Sequence, residues 1–396
     1  MPREKNMSRD NMSMPKKQAK KPTKPQKQKP KQPPKQQPTQ SSSSSSAAAA
    51  AVPSLPVPLQ QSLLNTFNAA FSPVLASPSF PALLQEVKAA LYARDFDAAF
   101  ANAAPDSLDA YAARWSPTRA LGYAGVLLAV GEYLEEAHLI RDGAGSDDGA
   151  AAEPEAEEEP AADGKPETQA QAQKTIKMLS IGGGAAEIAS FGAYLSTHAP
   201  SLAGHIHLLD SAPWGPVVTK LQDALATPPP LSKYANAAAR ASNAALLPAS
   251  HLTATFTQRD VLSMSRDELG SALGNDVLLV TLLFTLNELY TSAGIGKTTA
   301  FLLNLSATIP SGSLLLVVDS PGSYSEAAVG KESKKYPMQW LLDHTLRKDD
   351  KPVEGCLWEK LESHDSVWFR LAEGLRYPIS LENMRYQMHL YRATRP

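Results

Sequence analysis

Apolar residues recur at helical intervals through residues 61–140. Leu63, Leu64, Phe67, Phe71 and Val74 make one stripe, and Leu83, Leu84, Val87, Leu91 and Phe96 a second. A third runs from about Pro117 to Ile140 through Leu121, Val126, Leu127, Val130 and Leu134. Ser116 before Pro117 predicts its start, an N-cap followed by proline at the first helical position. From Ile176 onward the pattern changes to short apolar runs alternating with helical stripes. Ile176–Ile181, His205–Leu209, Leu252–Thr257, Val277–Phe284 and Ser313–Val318 read as strands. Val277–Phe284 is apolar almost throughout, as a central strand buried on both faces requires. Helices are predicted around Ile188, Phe191 and Leu195, over Trp214–Leu225, over Lys297–Ile309 and over Tyr336–Leu346, with the Pro- and Ala-rich stretch 227–250 a loop holding an extra helix. Ser366–Leu371 and Met384–Arg392 alternate like a closing antiparallel pair. Five β-α units with a hairpin-like end predict a mostly parallel sheet. An ordinary dehydrogenase would repeat βαβ in its second half instead.

Composition removes part of the 396 residues from this fold. Residues 1–60 are rich in Lys, Pro, Gln, Ser and Ala, with almost no aromatic or β-branched side chains, and are expected to be disordered. Residues 1–40 hold 12 Lys+Arg against 2 Asp+Glu, and 141–168 hold 2 against 10, so the net charge of −2 conceals a basic tail and an acidic linker. The tail suits nucleic acid or nuclear addressing, or serves only as a solubilising extension. The expected divisions are therefore a tail at 1–60, a helical cap at 61–140, an acidic linker at 141–173 and an α/β domain at 174–396. The single cysteine, Cys356, excludes an internal disulfide framework and a multi-cysteine zinc site. The N-terminus lacks the apolar stretch of a secretory signal, and the longest apolar run, Val277–Leu286, is half what a bilayer span needs. The expectation is a soluble intracellular protein.

The segment TIKMLSIGGGAAE (175–187) carries the chemistry. Gly182, Gly183 and Gly184 permit positive φ and close backbone approach to a ligand, and the following helix aims its N-terminal amides at the same place. Such a strand, turn and helix open a Rossmann-like fold, whose ligands bind beyond the carboxyl ends of the strands. Asp210 ends the second strand, where a carboxylate accepts both hydroxyls of a ribose, and Asp260 stands where it can accept from an adenine amine. Either aspartate is equally suited to capping the next turn. Glu187 occupies the place where a phosphate-binding turn has Gly or Ala. Its charge opposes a pyrophosphate, as in NAD, and suits S-adenosylmethionine (SAM), which has a sulfonium, an ammonium and no phosphate. Glu187 also suits the dipole of its own helix. Gly296-Lys297-Thr298 resembles the end of a P-loop, but Thr291 stands where that loop needs glycine.

LSIGGGAAEIASF (179–191), LLFTLNELYT (282–291), KTTAFLLNL (297–305), GSLLLVVDSPGSYSE (312–326), KKYPMQWLLDHTL (334–346) and YPISLENMRYQMHLYR (377–392), with RWSPTRALGY (114–123), resemble a fungal family of SAM-dependent methyltransferases of large-subunit (25S) ribosomal RNA, assigned to uridine N3. The likeness covers roughly residues 60–396. It implies a Rossmann-like class I methyltransferase fold of α/β class, a mostly parallel seven-stranded sheet with an antiparallel last strand, and an N-terminal helical cap. It also implies SAM as cofactor, ribosomal RNA or a pre-ribosome as partner, no membrane, and a place in the nucleus or nucleolus, with the cytoplasm open as well. Ser180 stands where related enzymes often start the glycine motif with a carboxylate, and Ala186 replaces its last glycine.

Uridine N3 carries its proton at neutral pH, so methyl transfer to it needs a base or a donor for the O2/O4 anion. Asn287, Glu288, Asp319 and Tyr324 are the candidates after the fourth and fifth strands, with Ser180, Gly182, Gly183, Gly184, Glu187, Asp210, Asp260 and Phe284 for the cofactor. Asn287 can pair with the imide edge; Glu288 or Asp319 can take the proton, or each can merely cap a helix or turn. Phe284, Tyr290, Tyr324, Tyr336 and Trp340 are candidates to stack on a base, and Arg114, Arg119, Lys334 and Lys335 to touch phosphates. His344 reads as a packed surface histidine. Two rivals stay open: a methyltransferase acting on protein or a small molecule, and an assembly factor that keeps the fold without catalysis.

Overall fold

A computed structural model describes residues 53–137, 139–142, 173–241, 243–322, 324–329 and 332–396. The expected tail therefore falls almost wholly outside the described residues, as does the acidic stretch between 143 and 172.

Seven strands make the main sheet: β1 (Lys174–Ile181), β2 (Leu202–Asp210), β3 (Leu252–Gln258), β4 (Leu279–Leu283), β5 (Leu314–Asp319), β6 (Leu357–Phe369) and β7 (Met384–Thr394). Their spatial order is β3-β2-β1-β4-β5-β7-β6. The pairs among β1 to β5 are parallel, while β7 runs antiparallel to both β5 and β6. The antiparallel last strand thus enters between the fifth and sixth. Gln387 lies opposite Asp319, which sets the register of that insertion. Arg141 and Asp142 add a short antiparallel bridge to Thr175 and Lys174.

The pleat sends alternate side chains to opposite faces. In β5, Leu314, Leu316 and Val318 enter one core, and Leu315 and Val317 the other. The first core is shared with α1 (Val57–Leu75), α2 (Phe80–Ala93), α3 (Pro105–Arg114), α4 (Ser116–Ala129), α5 (Gly131–Glu136), α6 (Ala185–Thr197) and α7 (Gly215–Ala226). The second is covered by α9 (Arg266–Leu273), α10 (Leu286–Ser292), α11 (Gly294–Thr308) and α12 (Met338–Leu346), the short helix α8 (Ala237–Ala241) lying in the connection before β3. The helices before the glycine turn thus share one continuous core with the sheet: Leu63, Phe67, Leu121 and Tyr123 belong to the same apolar cluster as Met178, Leu316 and Tyr386. No helix among the described residues is long and apolar enough to cross a membrane.

Several elements differ from the sequence pattern. The long third helix is two, broken at Val130 before Gly131, a residue with little preference for a helix interior. Helix α3 lies within the helical region 61–140 but shows no stripe of its own, because its buried face is largely Ala110, Ala112 and Ala113, which carry little apolar signal. The apolar run 277–286 contains both β4 and the start of α10, since strand and helix residues there are equally apolar. A hairpin of Tyr324–Val329 against Glu332–Pro337 occupies what reads as a loop, so the helix expected from Tyr336 starts only at Met338. Strand β6 begins nine residues before Ser366, its exposed polar positions hiding it.

Candidate active site

The carboxyl ends of the five parallel strands lie at one end of the sheet, where a cavity of about 720 Å³ opens. That is the size range of small-molecule sites. Gly182, Gly184, Glu187, Asp210, Asp260, Phe284 and Glu288 line it, so seven of the expected site residues are brought together.

The turn after β1 uses its glycines differently from one another. Only Gly182 has positive φ, at +71°, and a Cβ there would stand 2.3 Å from the Thr285 side chain. Gly184 lies against Trp214, whose ring a Cβ would approach to 2.9 Å. Gly183 does not line the cavity; its missing Cβ leaves room for Ser180, whose Oγ would be 2.4 Å away. Ser180 is fully buried beneath the turn and accepts a hydrogen bond from Thr281 Oγ1 at 3.0 Å, tying β1 to β4. Ser180 and Gly183 are therefore packing partners below the site rather than part of its surface.

Glu187 lines the cavity and also closes the start of α6, accepting from the Gly184 amide at 2.8 Å. Burial raises its pKa, and the backbone amides around it oppose that rise. Asp210 accepts from the Ala212 amide at 2.6 Å; burial raises its pKa to about 7, with a further push from Glu187. Asp260 is exposed at the cavity rim and accepts from the Leu262 amide at 2.9 Å, so it caps a turn while facing the site.

Phe284 adopts the left-handed conformation, φ +58°, in the turn between β4 and α10. Four residues on, Glu288 faces the cavity, and no hydrogen bond joins its carboxyl to a described residue. Burial raises its pKa to about 8; Arg119 opposes this, and Asp319, Asp210 and Glu187 add to it. Asn287 and Asp319 do not line the cavity. The side chain of Asn287 projects about 100° round α10 from that of Glu288. Asp319, 2 % exposed, accepts from the Asn287 amide at 2.9 Å and from the Ser320 amide at 2.7 Å. Its burial raises the pKa to about 6 against those two bonds. It anchors the helix that carries Glu288.

The opposite wall comes from the N-terminal helices. Phe100, Tyr111 and Trp214 form an aromatic cluster with centroids 4.9 to 6.0 Å apart. Arg119 of α4 lies beside it, donating to Tyr111 Oη, with its guanidinium 5.0 Å from the Phe284 ring centre. Burial works against its charge, but Tyr111, Tyr123, Glu288 and Glu187 raise its pKa above the ordinary value. This arginine reads in the sequence as a phosphate contact, and nothing in the local pattern links α4 to a site built 65 residues later. Tyr111 and Trp214 look like core residues because they follow helical spacing. Among the expected stacking residues only Phe284 lines the cavity. Tyr290 is buried in the second core, while Tyr336 and Trp340 stack at 4.8 Å, with His344 on the far side of Trp340 at 4.9 Å. The side chain of Tyr324 lies outside the described residues.

Residues 67–392, which include every element that lines this cavity, match a family model described as SAM-dependent methyltransferase. The chain belongs to this family. SAM is accordingly its cofactor, and the parallel sheet with an inserted antiparallel last strand is its class I fold. A relative from Saccharomyces cerevisiae, named 25S rRNA (uridine(2843)-N(3))-methyltransferase, is 32% identical over 329 residues, which span 78% of this chain and 76% of the relative. Among solved structures, an O-methyltransferase family protein from Burkholderia thailandensis aligns at 9% identity and a TM-score of 0.36, over 80% of this chain and 71% of that one. A SAM-dependent methyltransferase from Methanosarcina mazei aligns at 10% identity and a TM-score of 0.31, over 59% and 100%.

Proposed function

We propose that this methyltransferase modifies N3 of a uridine in large-subunit ribosomal RNA. The observation that carries the substrate is the identity of 32% with the yeast 25S uridine-N3 enzyme, extending over most of both chains. The assignment brings with it RNA binding, a role in ribosome biogenesis and a nuclear or nucleolar place, which the basic segment 1–40 suits.

The cavity residues fit SAM on three counts. Its volume accommodates a ligand of that size. Gly182 and Gly184 let the backbone come close to a ligand. Six carboxyl groups, Asp95, Asp97, Glu187, Asp210, Asp260 and Glu288, line the cavity beside four cations, Arg94, Arg119, Arg259 and Lys297, an excess of acids that suits a ligand carrying a sulfonium and an ammonium. Bound SAM supplies the methyl group as an electrophile. In this reading Asp210 accepts the ribose hydroxyls, Asp260 the adenine amine, and Glu187 keeps the turn in shape while adding negative charge.

Glu288 takes the N3 proton. Its carboxyl faces the cavity without a hydrogen-bond partner among the described residues, and a pKa of about 8 makes it a better proton acceptor than an ordinary glutamate. Asp319 acts through α10 as a positioning residue, and Phe284 offers a ring face beside the base. The test is incubation of the purified chain with labelled SAM and large-subunit rRNA, followed by nucleoside mass spectrometry. N3-methyluridine at one position is the expected product. Label on protein or a small molecule, or no label while SAM binds, would replace this reading by one of its rivals.

A further inference from the structure

Four cations line the cavity; Arg94, Arg259 and Lys297 are exposed, and Arg119 is half-buried. It lines the cavity from α4, and its hydrogen bond among the described residues is the one it donates to the neutral Tyr111 hydroxyl. A guanidinium has five N–H donors in a planar fork, and among the described residues no carboxylate forms an ion pair with this one. Glu187 and Glu288 are near enough to affect its charge, yet neither is hydrogen-bonded to it. The rings of Tyr111 and Phe284 flank it, with centres 5.6 and 5.0 Å from its central carbon. A largely desolvated cation without an anion is costly to keep. The arrangement is that of an anion receptor, preorganised by two rings and open on the side of the cavity.

SAM carries one group of complementary charge, the carboxylate of its amino-acid end. We propose that Arg119 is the receptor for the α-carboxylate of the cofactor's methionine moiety, held through a bidentate pair, with Tyr111 fixing the guanidinium. The inference rests on the placement of SAM in this cavity and adds which residue selects its amino-acid end. It also assigns a function to the N-terminal helices: α4 completes the cofactor site rather than only covering the substrate. A forked carboxylate pair is geometrically specific, so lysine at this position keeps the charge but loses the fork.

The test uses calorimetric binding of three ligands to the full chain: SAM, decarboxylated SAM, and 5′-methylthioadenosine, which lacks the amino-acid end altogether. The informative quantity is the ratio of SAM affinity to decarboxylated SAM affinity, compared between wild type and Arg119→Met as a thermodynamic cycle. This ratio is expected to fall about 10- to 100-fold in Arg119→Met, the range for a charge-assisted hydrogen-bonded pair. Arg119→Lys should fall between the two, and 5′-methylthioadenosine should bind all three proteins equally, which also shows that the variants are folded. An unchanged ratio would overturn the inference while leaving the cofactor site intact. Equal weakening of all three ligands would overturn it too, by making Arg119 a packing residue. If wild type bound none of the three, the placement of the cofactor itself would fall, and this inference with it.

Discussion

Glu288 owes its chemistry to the half-buried wall in which it sits, near Asp319, Asp210, Glu187 and Arg119. With its pKa raised to about 8, the carboxyl is mostly protonated in the free enzyme at neutral pH, so a base role needs higher pH. Since kcat/KM reports the free enzyme, it should rise with pH up to about 8 and then level off. Glu288→Gln should lose this limb and about 10²- to 10⁴-fold of the rate, with SAM still bound. Rates over pH 6 to 9.5, together with calorimetry on the variant, check both expectations. Gly182 illustrates a purely steric constraint. Alanine there meets both an unfavourable φ and the Thr285 side chain, and should destabilise the protein by about 1–3 kcal/mol, read from urea denaturation. Gly183 is equally intolerant of a Cβ, but for the sake of Ser180 below it rather than for a ligand.

Elements meet at the site in an arrangement that local sequence does not announce. Helix α10 brings Glu288 to the cavity because Asp319, at the end of the neighbouring strand β5, accepts the amide of Asn287. Helix α4 brings Arg119 because Leu121, on the other side of the helix, is buried in the core where α4 packs on α6 and β7. The acidic stretch contrasts with both. Asp142 pairs with Lys174 at the start of β1, so the residues flanking this stretch are neighbours in the sheet. That is the far end of the strand from the glycine turn, roughly 23 Å away at the usual rise per residue. Replacing residues 145–170 by a short Gly/Ser linker should therefore leave the SAM dissociation constant and Tm unchanged. A change in either would mean that the acidic stretch acts on the folded body.

The whole molecule concentrates its unfavourable electrostatics in one place. Glu288, Asp210 and Asp319 have pKa values of about 8, 7 and 6, all raised by burial from the ordinary carboxylate range. The native state thus holds these protons more tightly than the unfolded chain does. Their contribution to stability is fully present below the unfolded pKa values, near 4, and is lost as pH rises through 6 to 8. The ligand-free protein should accordingly show a Tm that falls between pH 5 and 8, and SAM should raise Tm more at pH 8 than at pH 5. Thermal scans with and without SAM test this; a larger SAM effect at pH 5 would mean that the acids do not face the cofactor. Much of this molecule was legible in its sequence. The alternation of short apolar runs with helical stripes determined the parallel sheet, and the antiparallel pair at the end separated it from a dehydrogenase. The glycine turn and the acids after the strands marked the right end of that sheet, because strand ends and turns are local in sequence. Which residues face the cavity was decided only by tertiary structure. Asn287 and Glu288 are neighbours in sequence and differ in helical phase; Ser180 is in the motif and lies beneath it. Arg119 comes from a helix 65 residues before the turn, and its role depends on packing across the sheet. Periodicity reports which side of an element is buried, whereas a site is made where the ends of separate elements meet.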